Sequence, residues 1–451
     1  MTMPTPTSDA DPGEGRCDVL VIGGGPAGAT IAALLAREGR DVVMLEKARH
    51  PRFHVGESLL PANGALFAQL GVLDAVERIG LRKWGVEFVS PQHAAPGFVE
   101  FGDAWDKSMP HAWQVRRSDL DEILFRHAES LGARAHEGVR VRDVQFDADG
   151  AEVGAVFDDG SARCWRARFV IDASGRDTLL ARQFNLKQKN EKHNSAALFA
   201  HFRGARRLEG KREGNISIFW FAHGWFWFIP LADGVTSIGA VCWPHYLKAR
   251  NKPLKAFFAD TVALCPALAE RLAGAELVDD TVHATGNYSY TSSRCGGERY
   301  LLLGDAYAFI DPVFSSGVYL AMVGAFEGAR VVAAALDRPA EEAAARRHFD
   351  AIMKKGPREF SWFIFRMTNP AMRSLLMSPR NVLRAKEAVI SLLAGDIFGR
   401  TPIWASLRFF KGIYFIGALA AGRRTWDAWR ARRRNIRDVG AVPGETVLEN
   451  R

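Results

Sequence analysis

Residues 17–47 read CDVLVIGGGPAGATIAALLAREGRDVVMLEK, and this stretch decides the fold of the chain. It combines an apolar strand, a glycine turn, an alanine-rich helix and a second apolar strand. Gly23, Gly25 and Gly28 form the pattern G-x-G-x-x-G between the first strand and the helix. In a dinucleotide-binding turn, the first glycine permits the tight turn, the second admits a pyrophosphate and the third lets helix and strand pack closely. The pyrophosphate then lies at the helix N-terminus, where free N–H groups favour an anion.

The surroundings of this turn strengthen the prediction of a nucleotide site. Glu46 ends the second strand, at the spacing expected of an acidic residue that binds a ribose hydroxyl. Residues 165–172 (WRARFVID) and 299–303 (RYLLL) resemble further buried strands, and each leads into a loop rich in Gly and Asp. Three such loops, far apart in the chain, predict one nucleotide-binding sheet that is assembled from separated segments.

Composition places the chain among ordinary globular proteins, with 48% apolar and 24% charged residues. The five cysteines are scattered and form no C-x-x-C pair, which argues against a disulfide framework and a zinc site; no metal is expected. A chain of this kind fits a reducing, cytoplasmic compartment. Much of the net charge of +8 lies in RRTWDAWRARRRNIR (423–437), but no nucleic-acid-binding motif accompanies it, so a nucleic-acid partner is not expected.

The basic run follows an apolar, glycine-interrupted stretch, FFKGIYFIGALAAG (409–422). Three interpretations remain open at this level. The run is a solvated helix face, or the pair forms an amphipathic element that contacts a membrane surface, or the run docks an acidic protein.

Three segments resemble the FAD-dependent glutathione-reductase-like superfamily. IDASGRD (171–177) and LLLGDA (301–306) resemble its two later nucleotide-contacting loops, and QVRRSDLD (114–121) resembles a stretch of its group-A monooxygenase branch. The resemblance covers roughly residues 15–330 and implies bound FAD. In this superfamily the acid at Asp305 holds the ribityl chain, and Arg116 or Arg117 would reach the cofactor. The full set of cofactor contacts that the resemblance implies is Gly23, Gly25, Ala27, Gly28, Glu46, Lys47, Arg52, Arg117, Asp305 and Gly317.

The expected architecture is therefore α/β, with a Rossmann-like FAD-binding domain, an inserted antiparallel β-sheet that forms a substrate domain, and a helical C-terminal region. The predicted divisions are a disordered leader at 1–15, an FAD-binding domain at 16–185 and 291–345 (with 80–115 partly in the substrate lobe), the substrate-domain sheet at 186–290, and the helical region at 346–451.

Local motifs resemble the flavin-dependent halogenases within this superfamily. GWFWFIP (224–230) fits W-x-W-x-I-P, and FIDPVFSSG (309–317) fits F-x-x-P-x-x-S-x-G. RFHVGESLLP (52–61) resembles the loop that lies over the flavin, and Lys83 stands where the family carries its catalytic lysine. The resemblance implies an FADH2-utilising halogenase of natural-product biosynthesis. The alternatives are a group-A hydroxylase that uses NAD(P)H, a geranylgeranyl-type reductase and a flavoprotein without catalysis.

The residue chemistry is compatible with that activity. In the family, reduced FAD and O2 oxidise chloride or bromide to hypohalous acid, and Lys83 would direct it to an electron-rich ring through a hydrogen bond or as a haloamine. Lysine suits this role because its ammonium is compact and its pKa falls readily on burial. By resemblance, the backbone amides of Ser316 and Gly317 would hold the halide, as consecutive N–H groups beside a glycine can. A plain helix N-cap by Ser315 or Ser316 is the structural alternative.

The alternation in GWFWFIP predicts a strand with Trp225 and Trp227 on one face and Phe226 and Phe228 on the other. Core packing would explain all four rings. The family resemblance instead places Trp225 and Trp227 beside the flavin, where they would keep its oxygen chemistry away from the organic substrate, while the two phenylalanines pack the core.

The expected substrate follows from Phe314, which stands just before S-S-G where halogenases of free tryptophan carry a glutamate. Without that carboxylate, a phenol or pyrrole is the better substrate because its own lone pair spreads the positive charge of the ring intermediate. The chain therefore resembles the phenol/pyrrole-type branch, acting on a small aromatic molecule or on a ring tethered to an acyl carrier protein. A separate NAD(P)H-dependent flavin reductase is expected to supply FADH2.

Overall fold

The computed structural model describes residues 15–286 and 289–437. Residues 1–14 of the predicted leader and the last 14 residues of the predicted helical region, 438–451, lie outside the described residues.

Strands and helices follow one another as a long mixed series. The strands are β1 (Arg16–Ile22), β2 (Val42–Glu46), β3 (Leu81–Lys83), β4 (Gly85–Val89), β5 (Gly97–Glu100), β6 (Ala112–Gln114), β7 (Arg134–Glu137), β8 (Val139–Phe146), β9 (Ala151–Phe157), β10 (Ala162–Asp172), β11 (Lys187–Lys189), β12 (Ala196–Arg203), β13 (Ile216–Phe221), β14 (Gly224–Pro230), β15 (Val235–Cys242), β16 (Glu276–Leu277), β17 (His283–Thr285), β18 (Tyr290–Ser292), β19 (Gly296–Gly297), β20 (Tyr300–Leu302) and β21 (Ala308–Phe309). The α-helices are α1 (Pro26–Arg37), α2 (Asn63–Leu70), α3 (Leu73–Ile79), α4 (Arg117–Ser130), α5 (Leu179–Gln183), α6 (Pro244–Lys248), α7 (Leu254–Ala263), α8 (Pro266–Arg271), α9 (Gly317–Asp337), α10 (Pro339–Ile364), α11 (Pro370–Met377), α12 (Ala385–Leu393), α13 (Trp404–Ala420) and α14 (Arg423–Arg437).

The nucleotide-binding sheet is built from distant segments, as the sequence predicts. Its order is β19-β20-β10-β1-β2-β7, and β20, β10, β1, β2 and β7 run parallel. The hairpin of β8 and β9 continues from β10 in antiparallel fashion. Helix α1 connects β1 to β2 and packs against α4 and α9. The predicted Rossmann-like α/β domain is confirmed.

The glycine turn after β1 needs its glycines for steric reasons. Gly23 has a φ of +99°, and a Cβ there would lie 2.4 Å from the carbonyl oxygen of Ala173. A Cβ on Gly28 would lie 1.9 Å from the carbonyl oxygen of Gly23. No side chain fits at such separations, so α1 can begin this close to β1 only with glycine at both positions.

The inserted sheet has the order β16-β12-β15-β14-β13-β4-β5, with β17 also paired to β12. Its neighbouring strands are antiparallel, except that β13 and β4 run parallel. Strands β4 and β5 come from the segment 80–115, which was predicted to lie partly in the substrate lobe. The predicted antiparallel sheet is confirmed, and β4 and β5 extend it at one edge.

Both faces of this sheet are covered, which explains why β13, β14 and β15 are buried along their whole length. Phe226 and Phe228 lie in a cluster with residues of α7 and α8 such as Phe258 and Leu268. Trp225 and Trp227 lie in a different cluster, with residues of the C-terminal helices. The alternation therefore places the two pairs of rings on opposite faces of the sheet, as predicted, and each face packs into a different core.

The C-terminal helices complete the second of these cores. The boundary predicted at residues 345 and 346 lies inside α10, and the one predicted at 290 and 291 lies inside β18, so neither coincides with a break in secondary structure. Helix α9 is the one described helix that is long and apolar enough to cross a membrane, but 67% of that apolar stretch is buried inside the protein. It packs against α1 and α10 as a core helix.

The Trp227 ring lies against Gly239 on β15, and this contact predicts a steric effect of substitution. A Cβ on Gly239 would lie 2.1 Å from a ring carbon of Trp227. We expect Gly239→Ala to lower the free energy of unfolding by about 1–3 kcal/mol, because the ring must leave its position. Urea unfolding measures this. Gly102→Ala is the matched control, since a Cβ there meets nothing within 4 Å; equal stability of the two variants would contradict the prediction.

Candidate active site

The residues around the glycine turn form the first part of the site. The Glu46 carboxylate accepts hydrogen bonds from the backbone N–H of Gly24 (2.7 Å) and of Ala48 (2.9 Å). Arg52 reaches the same place: its Nε lies 3.7 Å from Glu46 Oε1, and its Nη2 would lie 3.5 Å from a Cβ on Gly25. The fold thus brings Glu46, Arg52 and the glycine turn together.

Two other predicted cofactor contacts, Ala27 and Lys47, differ in how exposed they are. Ala27 is buried in the first turn of α1, next to the glycine turn. Lys47 is half-exposed, and its Nζ lies 2.5 Å from Asp177 in the predicted loop IDASGRD. Lys47 follows β2, so this ion pair ties the end of β2 to the loop IDASGRD at the rim of the site.

The structure separates the two candidate arginines that the sequence left open. Arg117 is buried and forms a bidentate pair with Asp121, with nitrogen–oxygen distances of 2.8 and 2.9 Å. It also donates a hydrogen bond to the carbonyl oxygen of Val55 (3.1 Å). Arg116 instead forms an ion pair with the half-exposed Asp233 (2.5 Å). Arg117 is the arginine that points into the domain, beneath the segment 52–61.

Asp305 follows Gly304, which lies close to Ala27 of α1, and burial raises the pKa of the Asp305 carboxyl to about 6. Arg176 and Arg117 face Asp305 and lower that pKa in part. At Gly317, the first residue of α9, a Cβ would meet nothing within 4 Å, so open space lies above the start of the helix. A glycine turn with no room for side chains, an acid at the end of β2 and a partly desolvated carboxyl on the third loop suit FAD as a ligand.

Lys83 lies at the end of β3 and is almost completely buried, with 1% of its surface exposed. Its Nζ donates hydrogen bonds to Ser58 Oγ (2.9 Å) and to the carbonyl oxygen of Leu59 (3.0 Å). The ammonium also lies 5.3 Å from the centre of the Phe101 ring, as in a cation–π contact. Burial lowers the pKa of Lys83 to about 7.

Backbone contacts hold this lysine in place. Strand β3 pairs with β6, so Lys83 lies opposite Ala112. The side-chain oxygen of Asn215 then accepts hydrogen bonds from the backbone N–H of Trp84 (2.9 Å) and of Gly85 (2.8 Å). Since Asn215 directly precedes β13, the lysine is anchored to the inserted sheet.

Lys83 opens onto a cavity whose empty space of about 310 Å³ includes part of the open solvent at its mouth. The lining is apolar apart from Lys83 and Ser315, and comprises Leu60, Lys83, Val86, Phe88, Phe101, Ile216, Ile218, Val313, Phe314, Ser315 and Leu393. None of the described residues in this lining carries a carboxylate. Phe314, which stands where a glutamate is found in halogenases of free tryptophan, is part of this apolar wall.

The turn at 315–317 links the cavity to the start of α9. Ser315 lines the cavity and has a left-handed φ of +57°, and Ser316 is the N-cap residue of α9. The Ser316 side chain makes no capping hydrogen bond, so the simple N-cap alternative is not what the structure contains. The first N–H groups of a helix have no acceptor within the helix, which leaves those of α9 available for an anion.

Asp311 stabilises this turn from behind. Its carboxylate accepts hydrogen bonds from Val313 N (3.1 Å), Ser195 Oγ (3.0 Å) and His193 Nε2 (2.8 Å). These contacts satisfy the buried acid and fix the turn relative to β12.

Trp225 and Trp227 do not line the cavity but lie next to it. One row of paired residues crosses the sheet on this face: Phe199, Gly239, Trp227, Ile218 and Phe88. At one end Ile218 and Phe88 line the Lys83 cavity. At the other end Phe199 stacks with Phe53, which follows Arg52 in the chain (ring centres 6.1 Å apart). Trp227 therefore lies between the cavity and the segment beside the glycine turn, and Trp225 is its neighbour on the same face, with ring centres 6.2 Å apart.

Sequence reasoning named Lys83, Phe314 and Ser315 but missed the other residues that build the cavity. Ser58 and Leu59 lie within the quoted segment 52–61, but nothing in that segment marks them as partners of Lys83. The alternation in β13 (ISIFWF) was the available signal, since it predicts that Ile216 and Ile218 share a face. Phe101 and Leu393 carry no such signal, because they come from distant parts of the chain.

Comparison with known proteins identifies relatives of this chain. Residues 16–347 match the family described as FAD binding domain. The flavin-dependent halogenase gsfI of Penicillium aethiopicum is 34% identical over 375 residues, which are 75% of this chain and 68% of that protein. The 1H-pyrrole-2-carbonyl-(peptidyl-carrier protein) chlorinase of Pseudomonas fluorescens is 29% identical over 84% of this chain and 89% of its own length.

Solved structures are similar over nearly the whole chain. The myxobacterial chondrochloren halogenase CndH is 31% identical, with a TM-score of 0.75, and the match covers 89% of this chain and 96% of that one. A flavoprotein/dehydrogenase from Cytophaga hutchinsonii is 28% identical, with a TM-score of 0.82, over 90% of this chain and all of that one.

Burial of Lys83 predicts a pH-dependent contribution to stability. Its pKa falls from an ordinary 10.5 to about 7, so between these values the unfolded chain binds a proton that the folded protein lacks. The free energy of unfolding therefore rises with pH in this window, by up to about 1.4 kcal/mol per pH unit. Measured by urea unfolding, the free energy of unfolding of the wild type should rise by about 2 kcal/mol relative to that of Lys83→Met between pH 7 and pH 9.

The matched control is Lys211→Met, which removes an exposed lysine. The free energy of unfolding of Lys211→Met should differ from that of the wild type by a constant amount over the same pH range. A constant difference for Lys83→Met as well would mean that the Lys83 ammonium remains hydrated in solution.

Proposed function

The chain belongs to the flavin-dependent halogenases, and from that premise we propose that it transfers chlorine or bromine from hypohalous acid to a phenolic ring bound beside Lys83. The enzyme is an FAD-dependent oxidoreductase that halogenates aromatic compounds. One observation carries the proposal: among the described residues that line the apolar cavity next to the start of α9, Lys83 is the one ionisable group.

Bound reduced FAD supplies the oxidation of halide by O2 to hypohalous acid. The contribution of this chain begins with the halide, which the N–H groups of Ser316 and Gly317 would hold at the positive end of the α9 dipole. The open space above Gly317 and the position of Ser315 on the cavity wall support this assignment.

Lys83 then acts on the hypohalous acid. As an ammonium it donates a hydrogen bond to the acid's oxygen, which draws electrons from the oxygen–halogen bond. The ring attacks the halogen, the oxygen–halogen bond breaks, and the departing hydroxide takes up a proton to give water. The ring then loses its own proton, so that ArH and HOX give ArX and H2O. A pKa of about 7 leaves the ammonium and the amine both populated near neutral pH, so a haloamine on Lys83 is the second form of the same relay.

The lining of the cavity favours a phenol as the substrate. Phe314 and its apolar neighbours offer no carboxylate to stabilise a cationic ring intermediate, whereas a phenol oxygen spreads that charge itself. The similarity to a pyrrole chlorinase that acts on a peptidyl-carrier protein supports a carrier-tethered ring as one form of the substrate. We propose a small phenol, free or attached to such a carrier.

The two tryptophans complete the proposed arrangement. Trp227 lies in the row that joins the cavity to the segment 52–61, with Trp225 beside it, which supports a role of the two rings as a barrier that lets hypohalous acid pass while water and the organic substrate stay apart from the cofactor. A separate NAD(P)H-dependent flavin reductase would supply FADH2. The cysteines Cys17, Cys164, Cys242, Cys265 and Cys295 are all free, which supports a reducing, cytoplasmic setting.

The first test is Lys83→Ala in a reductase-coupled reaction with FAD, NADH, chloride or bromide, and a panel of free and carrier-bound phenols. We expect halogenated product to fall by about 100-fold or more, because the relay is lost, while NADH consumption and hydrogen peroxide release continue. Mass spectrometry and a peroxide assay measure both. Lys211→Ala should behave as the wild type. Rapid NADH oxidation without the reductase, together with an oxygenated product, would overturn the proposal in favour of a hydroxylase.

The second test concerns the barrier. The pair Trp225→Ala and Trp227→Ala should raise the hydrogen peroxide released per halogenated product, or yield hydroxylated product. The pair Trp225→Phe and Trp227→Phe keeps a bulky ring at both positions and should release little extra hydrogen peroxide. Phe228→Ala, on the opposite face, should lower stability without leakage. If the alanine pair halogenates as the wild type does, with neither extra peroxide nor hydroxylated product, the two tryptophans only pack the strand.

A further inference from the structure

Helix α13 carries apolar side chains on two faces, and only one of these faces packs on the protein. Leu407, Phe410 and Tyr414 are buried in the core that α13 shares with the inserted sheet. Phe415, Ile416 and Leu419 point the other way, with 50%, 70% and 82% of their surfaces exposed. Their spacing of one, three and four residues places these three side chains on one face of the helix. An apolar helix face of this kind is usually covered by another part of the protein or by a partner.

Helix α14 follows directly and adds aromatic and cationic side chains. Trp426 and Trp429 are 50% and 41% exposed, and their rings stack with centres 5.1 Å apart. The guanidinium of Arg430 lies 5.1 Å from the Trp426 ring, and that of Arg433 lies 4.3 Å from the Trp429 ring.

The charge of this surface is one-sided. The other exposed cations of α14 are Arg423, Arg424 and Arg434, and its single acidic residue is Asp427. Helix α13 adds the exposed Arg408, while its Lys411 is paired with Glu359 of α10 (3.6 Å). We call one set of exposed side chains the α13–α14 surface. It comprises Phe415, Ile416, Leu419, Trp426, Trp429, Arg423, Arg424, Arg430, Arg433 and Arg434.

We propose that the α13–α14 surface docks the enzyme on an anionic phospholipid bilayer. Apolar side chains enter the boundary between headgroups and acyl chains, tryptophan prefers the headgroup level, and arginine is attracted to anionic headgroups. The α13–α14 surface presents all three on consecutive helices.

Two other occupants fit less well. A second copy of the chain would bring one set of arginines against another, which is unfavourable without acids to neutralise them. An acidic carrier protein would match the arginines but would leave Phe415, Ile416 and Leu419 without an apolar partner, and large exposed apolar residues in a group indicate a contact surface. A bilayer with anionic lipids satisfies both kinds of side chain at once.

Docking at this surface would also bring the membrane close to the Lys83 cavity. Helix α12 packs against α13 and contributes Leu393 to the lining of that cavity. Membrane binding itself does not depend on the proposed halogenation chemistry, so the two can fail separately.

The experiment is sedimentation of the full-length, FAD-loaded protein with vesicles. Vesicles of phosphatidylcholine with 30 mol% phosphatidylglycerol are compared with vesicles of phosphatidylcholine alone. We expect at least about tenfold stronger partition onto the anionic vesicles, and a decrease in binding as salt is raised, since each arginine near the bilayer surface adds to the attraction and salt screens it.

Variants separate the contributions. Ile416→Ser with Leu419→Ser should lower partition about tenfold or more, and Arg430→Glu with Arg433→Glu should abolish the preference for anionic vesicles. Leu264→Ser with Val278→Ser removes two exposed apolar side chains from other parts of the protein and should bind as the wild type. All variants should keep their bound FAD, which reports that they are folded.

Three results would overturn the proposal. One is a wild type that does not pellet with anionic vesicles at low salt. Another is equal partition of the wild type and the Ile416→Ser, Leu419→Ser variant. The third is a dimer in analytical ultracentrifugation that this variant abolishes, without any vesicle binding by the wild type, which would assign the surface to a second copy.

Discussion

The Trp227 ring lies on the bare backbone of Gly239, and the arrangement of the active site depends on that contact. Gly239 leaves a gap in one row of the inserted sheet, and the Trp227 ring leans into it toward Phe199 (ring centres 5.9 Å apart). The row then runs in one direction to Phe53 and the glycine turn, and in the other to Ile218 and the Lys83 cavity. Because strand pairing keeps each row on one face, a single sheet sets the spacing between the two halves of the site.

The second constraint is electrostatic. An ammonium in an apolar cavity is costly, and here two hydrogen bonds and an aromatic face offset only part of that cost, so the pKa of Lys83 falls to about 7. The same low polarity strengthens any interaction between the ammonium and a bound oxygen atom. Burial of the Lys83 ammonium among apolar side chains thus costs folding free energy and also suits the ammonium to polarise hypohalous acid. Ser58 and the Leu59 carbonyl hold it at one place in the cavity.

Several parts of the site could be predicted from short segments. The G-x-G-x-x-G turn, the separated strands of its sheet and the alternation of Trp225 with Phe226 are local patterns, and each is confirmed. The choice between Arg116 and Arg117 was not available to the sequence, because it depends on which side of α4 faces the domain. The predicted boundaries at 290 and 345 fall inside β18 and α10, because a strand and a helix each continue from one predicted unit into the next.

The sequence by itself determined the nucleotide-binding turn, the faces of the tryptophan strand and the family to which its motifs point. These follow from steric limits on glycine and from the two-residue repeat of a strand, which act between neighbours in the chain. Only the tertiary structure decided that Lys83 is buried, that Leu60, Phe101, Ile218 and Leu393 form its cavity, and that one side of α13 stays uncovered. Burial and pKa depend on how much water distant segments exclude together, and no local pattern of residues records that.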